Sequence, residues 1–144
     1  MPDEDYIVPI GVADVKRTGE DMALLTYGTM VHESLKAAEV LAEEDIDLEV
    51  IDLRTLLPLD RETILASVRR TSKVLIAHEA NKTCGLGAEL AAMINEEAFE
   101  HLDGPIVRVT GPDVPAIPFA PTLEAAFMPN AEKIANAARR LAAY

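Results

Sequence analysis

Short apolar runs alternate along this chain with stretches in which apolar residues recur every three or four positions. That alternation restricts the fold more than any other feature of the sequence. "DMALLTYG" (21–28) reads as a buried strand closed by Gly28. The next segment, Met30–Glu44, sets Val31, Leu35, Ala38 and Leu41 on one side and His32, Lys36, Glu39 and Glu43 on the other, which is helical spacing with one core face. "LEVIDL" (48–53) is a second strand, and Asp60 is placed to cap a helix over "RETILASVRR". "KVLIA" (73–77) and "GAELAAMINEEAFEHL" (87–102) repeat the pattern, and "IVRVTG" (106–111) follows the turn signal "DGP". The proline-rich "PDVPAIPFAP" (112–121) is expected to be loop throughout, because proline lacks the N–H that a helix interior or central strand needs. A last helix is expected from about Asn130, with Ile134, Ala138 and Leu141 on its inner face, and "IGVADVKR" (10–17) is a possible edge strand. Strand–helix units of this length imply a mainly parallel sheet with helices on both faces, a three-layer α/β/α fold in one domain spanning 1–144.

Charge narrows the partners. The chain of 144 residues carries 13 Lys and Arg against 25 Asp and Glu, a net charge of −12. Phosphate backbones and anionic membranes would be repelled, so neither nucleic acid nor membrane is an expected partner; the excess would favour a basic partner, and it equally fits a surface that serves solubility alone. No apolar run approaches the roughly 18 residues of a membrane span, and "MPDEDYIVPIG" has neither the basic nor the apolar part of a signal peptide. A single Cys cannot form an internal disulfide, which points to a reducing, cytoplasmic setting.

In a doubly wound sheet, ligands sit beyond the C-terminal strand ends where the strand order reverses. Here that crevice would fall between Gly28-Thr29 and His78–Gly87, within "HEANKTCGLGAE" (78–89). A nucleophilic Cys84 would need a base in reach; His78 stands six residues earlier across a loop, and nothing in the sequence demands that the two meet. A phosphate loop would use "CGLG" at the helix entrance, but a third glycine and a P-loop Lys-Ser/Thr are missing, and Glu89 would repel the anion. The simplest reading is a tight strand-to-helix turn. His32, His78 and His101 have no partner at metal-ligand spacing. The Arg pairs at 69–70 and 139–140 are the cations expected at helix C-termini. These residues single out no catalytic, cofactor or metal site.

Taken in order, "VPIGVADVKRTGEDMALLTYGTMV" (8–31), "IDLRTLLPLD" (51–60), "VLIAHEANKTCGLGAEL" (74–90) and "VRVTGPDVPAIPFAPTLEAAFMPN" (107–130) resemble one family across nearly the whole chain. It is the C-terminal domain of the β subunit of the thiamine-diphosphate-dependent 2-oxo acid dehydrogenase E1 component, which acts on pyruvate, branched-chain 2-oxo acids or acetoin and is related to a transketolase domain. The resemblance implies a five-stranded mixed sheet whose first strand lies antiparallel at an edge. It implies that thiamine diphosphate and Mg²⁺ belong to the full-length enzyme, not to this chain, which is expected to be inactive alone. "MPDEDY" then looks like a start placed on an excised domain. Implied partners are the E1 α subunit, a second β subunit, and the peripheral subunit-binding domain of the E2 acyltransferase, with Tyr144 the candidate docking residue. One departure is Cys84, where relatives often carry Gly; Cys must take an ordinary φ there or tolerate strain. The competing expectation is an independent small α/β enzyme or ligand-binding module that uses the Gly28/His78/Cys84 crevice.

Overall fold

The computed structural model describes residues 6–115 and 117–144, so the opening segment 1–5, with the expectation attached to it, lies outside the described residues. Five strands form one sheet in the order β1-β3-β2-β4-β5. They are β1 (Asp14–Arg17), β2 (Met22–Thr26), β3 (Leu48–Asp52), β4 (Val74–Asn81) and β5 (Val107–Gly111). β1 pairs antiparallel with β3 at one edge, and the other four strands are parallel. The expected mixed sheet and its antiparallel edge strand are therefore present. β2 is buried at every position, as a continuous apolar run at the centre of a sheet covered on both faces must be.

The alternation of side chains along each strand sorts the core into two halves. Met22, Leu24, Leu48, Val50, Leu75 and Ala77 face α1 (Met30–Ala42) and the last helix, α5 (Ala131–Ala142). Leu25, Ile51, Val74 and Ile76 face α2 (Arg61–Thr71) and α3 (Leu86–Ala98). Asp60 caps α2 as its sequence position suggested: its carboxylate accepts from Thr63 N at 3.0 Å and Thr63 Oγ1 at 2.8 Å. The same carboxylate accepts from Ala13 N at 2.9 Å, which ties the segment leading into β1 to the start of α2.

Several boundaries differ from the sequence reading: β1 begins at Asp14 and not at Ile10, α1 stops at Ala42 and not at Glu44, and three larger differences follow. β4 continues past Ala77 to Asn81, carried by pairing of His78 with Thr110 and, after a register irregularity, of Asn81 with Gly111. The third helix starts at Leu86 and ends at Ala98, followed by a 3₁₀ turn over Phe99–His101. The stretch expected to be loop through residue 121 gives way at Pro121 to a short helix, α4 (Pro121–Phe127). Proline is tolerated at the first helical position, where its missing N–H would have no intrahelical partner. Only Phe127 of α4 is buried. No helix among the described residues is long and apolar enough to cross a membrane.

Candidate functional site

The strand order puts the reversal at β2, with β3 on one side and β4 on the other, so the crevice predicted from the sequence lies between the C-terminal ends of β2 and β4. Tyr27 and His78 meet there, their rings stacked at 6.1 Å between centroids and 20° between planes. His78 is fully buried. Its Nδ1 donates to the Ala80 carbonyl at 3.1 Å, and its Nε2 accepts from the Gly87 N–H at 3.0 Å. That pair of bonds assigns one neutral tautomer. Burial pushes the imidazole below its ordinary pKa, against the Ala80 carbonyl, which favours the charged form; the charge of Arg108 adds to the depression.

The two glycines of "CGLG" are explained by this ring. A Cβ on Gly87 would stand 2.6 Å from His78 Nε2, and one on Gly85 would stand 2.9 Å from His78 Cε1 and 2.1 Å from the Asn81 carbonyl oxygen. The glycines make room for an imidazole that stitches the strand end to the first turn of α3. His78 has neither nitrogen left for Cys84, which is exposed. Cys84 takes φ of 57°, the left-handed region in which a Cβ is strained. Its residue type departs from the glycine that such a turn favours. The arrangement acts as a structural clamp: both imidazole nitrogens and the Gly87 N–H are engaged with one another or with the Ala80 carbonyl, and the Ala88 N–H donates to the Gly85 carbonyl. Among the described residues, no three His, Cys, Asp or Glu side chains converge to hold a metal ion.

Tyr144 stands elsewhere, at the last residue of the chain and 73% exposed. It lines an open groove of about 740 Å³ with Phe99, Leu102, Asp103, Pro105 and Ile106. Gly104 lets it approach, since a Cβ there would lie 3.3 Å from Tyr144 Cβ. Both Arg pairs lie in the last turns of their helices, as expected, and the two members of the second pair have different surroundings. Arg139 forks onto Glu44 at 2.6 and 2.8 Å, whereas Arg140 lines a separate cleft beside β5. Nothing in the local sequence separates the two arginines; only the placement of α1 and β5 does.

Residues 11–134 match the family described as Transketolase, C-terminal domain. The chain belongs to this family. Among relatives of this transketolase C-terminal domain, the 2-oxoisovalerate dehydrogenase subunit beta of Bacillus subtilis (strain 168) is 47% identical over 144 residues, covering 100% of the chain and 44% of the relative. The pyruvate dehydrogenase E1 component subunit beta of the same organism is 44% identical over 141 residues, covering 98% and 43%. The chain thus spans less than half the length of these two relatives. A solved structure described as a split gene transketolase, inactive beta4 tetramer, superposes with a TM-score of 0.81 at 29% identity, covering 92% of this chain and 43% of that one. The fold and the family expected from the quoted motifs are both met.

Proposed function

We propose that this transketolase C-terminal domain is the assembly and docking part of the β subunit of an E1 component of a 2-oxo acid dehydrogenase. The whole enzyme would be cytoplasmic and would decarboxylate pyruvate or a branched-chain 2-oxo acid oxidatively, after the two E1 β relatives aligned along nearly the full chain. Thiamine diphosphate supplies a carbanion-stabilising centre in such enzymes. The residues at the sheet crevice do not fit a diphosphate–Mg²⁺ group, because His78 fills the space between strand and helix and engages the Gly87 N–H. The cofactor is assigned to other parts of the enzyme, and the chain alone is proposed to be inactive.

One observation carries the assembly role. Large apolar side chains that a monomer would bury stand in solvent: Ile7 is 94% exposed, Phe119 100%, and Tyr6, Ile10, Ile117 and Leu123 are also exposed. Leu123 belongs to α4, and isolated helices this short are marginal in water without packing. Large apolar side chains left this exposed are proposed here to be contact points for the α subunit and a second β subunit. The solved split-gene relative is itself described as a tetramer of β chains.

The Tyr144 groove is the proposed seat of a basic E2 subunit-binding domain. An aromatic anchor over an apolar groove, with Asp103 at its rim, combines a buried contact with attraction for a cation, and the net charge of −12 steers a basic partner towards it. Calorimetric titration of the chain with such a domain tests this. Binding is expected at low ionic strength, weakening at about 0.5 M salt, where screening is nearly complete beyond a few ångströms, and weakening again when Tyr144 is removed. Binding that ignores both changes overturns the docking assignment.

A further inference from the structure

Even in a chain this acidic, nearly half of the cations form no ion pair with a carboxylate among the described residues. Seven of the 13 Lys and Arg pair with a carboxylate. The other six have no such partner among the described residues: Arg69, Lys73, Lys82, Arg108, Lys133 and Arg140. The last four line a single cleft of about 470 Å³. They come from three places far apart in sequence: the loop after β4, the edge strand β5, and one face of α5, where positions 133, 136 and 140 stack on successive turns.

Carbonyl oxygens hold Arg108 and Lys133 in place, and the Asp113 carboxyl is kept below its usual range first by the bonds it accepts from Thr83 and then by the charge of Lys82. Arg108 Nη1 donates to the Lys82 carbonyl at 3.0 Å, and Lys133 Nζ donates to the Ala126 and Met128 carbonyls at 2.7 Å each. Carbonyl oxygens fix a side chain but cancel little of its charge. Asn136 accepts from Arg139 Nη1 at 2.7 Å through its oxygen, which leaves its amide nitrogen as a donor. The one carboxylate in the lining, Asp113, accepts from Thr83 N at 3.0 Å and Thr83 Oγ1 at 2.7 Å, so its oxygens already serve the loop. Thr110 directs its hydroxyl at the Gly111 carbonyl, at 3.1 Å. The lining is therefore rich in uncommitted donors and poor in acceptors.

We infer that this cleft binds a small phosphate-bearing anion, with Arg108 and Arg140 as forked ligands and Lys82, Lys133 and the Asn136 amide completing the shell. Planar guanidinium groups bind phosphate oxygens two at a time, and lysines flank them as point charges. The volume lies within the range of about 300–1,000 Å³ that holds small ligands. The Tyr144 groove is lined by other residues, and this inference does not depend on the docking role proposed for it.

The test is a titration of the 144-residue chain with inorganic pyrophosphate at low ionic strength, followed by amide shifts in ¹H–¹⁵N spectra. Saturable shifts confined to Arg108–Asp113 and Lys133–Arg140 are expected. Arg108→Gln combined with Arg140→Gln is expected to raise Kd at least tenfold, while Arg69→Gln combined with Lys73→Gln leaves it within twofold. Shifts that never saturate, or equal weakening by both pairs of substitutions, would reduce the site to diffuse charge and overturn the inference. Tighter binding of citrate or of a Glu-rich peptide would overturn the phosphate assignment. If the cleft variant does not fold, the map of shifts on the unsubstituted chain decides: shifts centred outside the cleft overturn the proposal.

Discussion

His78 shows how one residue's chemistry becomes a stability term. Its folded pKa lies below the ordinary value, first through burial, so the unfolded chain takes up a proton at a pH where the folded chain does not. Stability is then full above about pH 6.5, the unfolded value, and falls as the pH drops below it, levelling only once the folded ring also titrates. Urea denaturation between pH 8 and pH 5 is expected to show this slope, and His78→Asn is expected to lose it. The carboxylates held below their usual range, Asp14 and Asp60 among them, act in a lower window, near pH 4 and beneath. The same substitution is expected to cost about 2–4 kcal/mol at pH 8, since it empties space beside Gly85 and Gly87 and breaks two buried bonds. Cys84→Gly is a milder case. It relieves a left-handed Cβ worth about 1–2 kcal/mol but adds freedom to the unfolded chain worth about 0.5–1 kcal/mol. A net change within about 1 kcal/mol, neutral to stabilising, is expected in chemical denaturation; a larger loss would show that the thiol packs against something essential.

At the scale of elements, Asp60 is the residue to remove. Asp60→Ala deletes the α2 cap and the tie to Ala13 together, and should cost about 1–2 kcal/mol, with faster amide exchange in β1 than in β4. A uniform loss across both strands would refute the link between cap and edge. Capping by Asp60 was legible because an acid stood just before a periodic apolar stretch, and β2, β3 and β5 were legible as apolar runs. α4 was not, since "PTLEAAF" sits among prolines and buries one side chain, leaving no apolar stripe to read. The end of β4 was missed for a related reason: beyond His78 the strand is increasingly exposed and its pairing with β5 slips register. "CGLG" was legible as a turn, but that an imidazole dictates its glycines emerges only in three dimensions. Lys82, Arg108, Lys133 and Arg140 show the same limit, since no local pattern joins residues on a loop, a strand and a helix.

For the whole molecule, the exposed apolar side chains predict self-association. Sedimentation of the chain is expected to show dimers or larger species at micromolar concentration, and Phe119→Asp with Leu123→Asp to return it to a folded monomer whose Tm no longer rises with concentration, because both side chains stand in solvent in a single copy. A monomer at all concentrations would remove the support these residues give to assembly. The placement of α5 has another consequence, which concerns synthesis. The face of the sheet formed by Leu24, Leu48, Val50 and Leu75 is roofed jointly by α1 and by Ile134, Ala138 and Leu141 of α5. A ribosome makes all five sheet strands before this piece of the roof. Until α5 emerges, half of that core stays wet beside strands already able to pair, a state open to capture by chaperones and to aggregation. Nascent chains arrested before Ala131 should be cut rapidly by protease, and chains extended until α5 has cleared the ribosome should resist it.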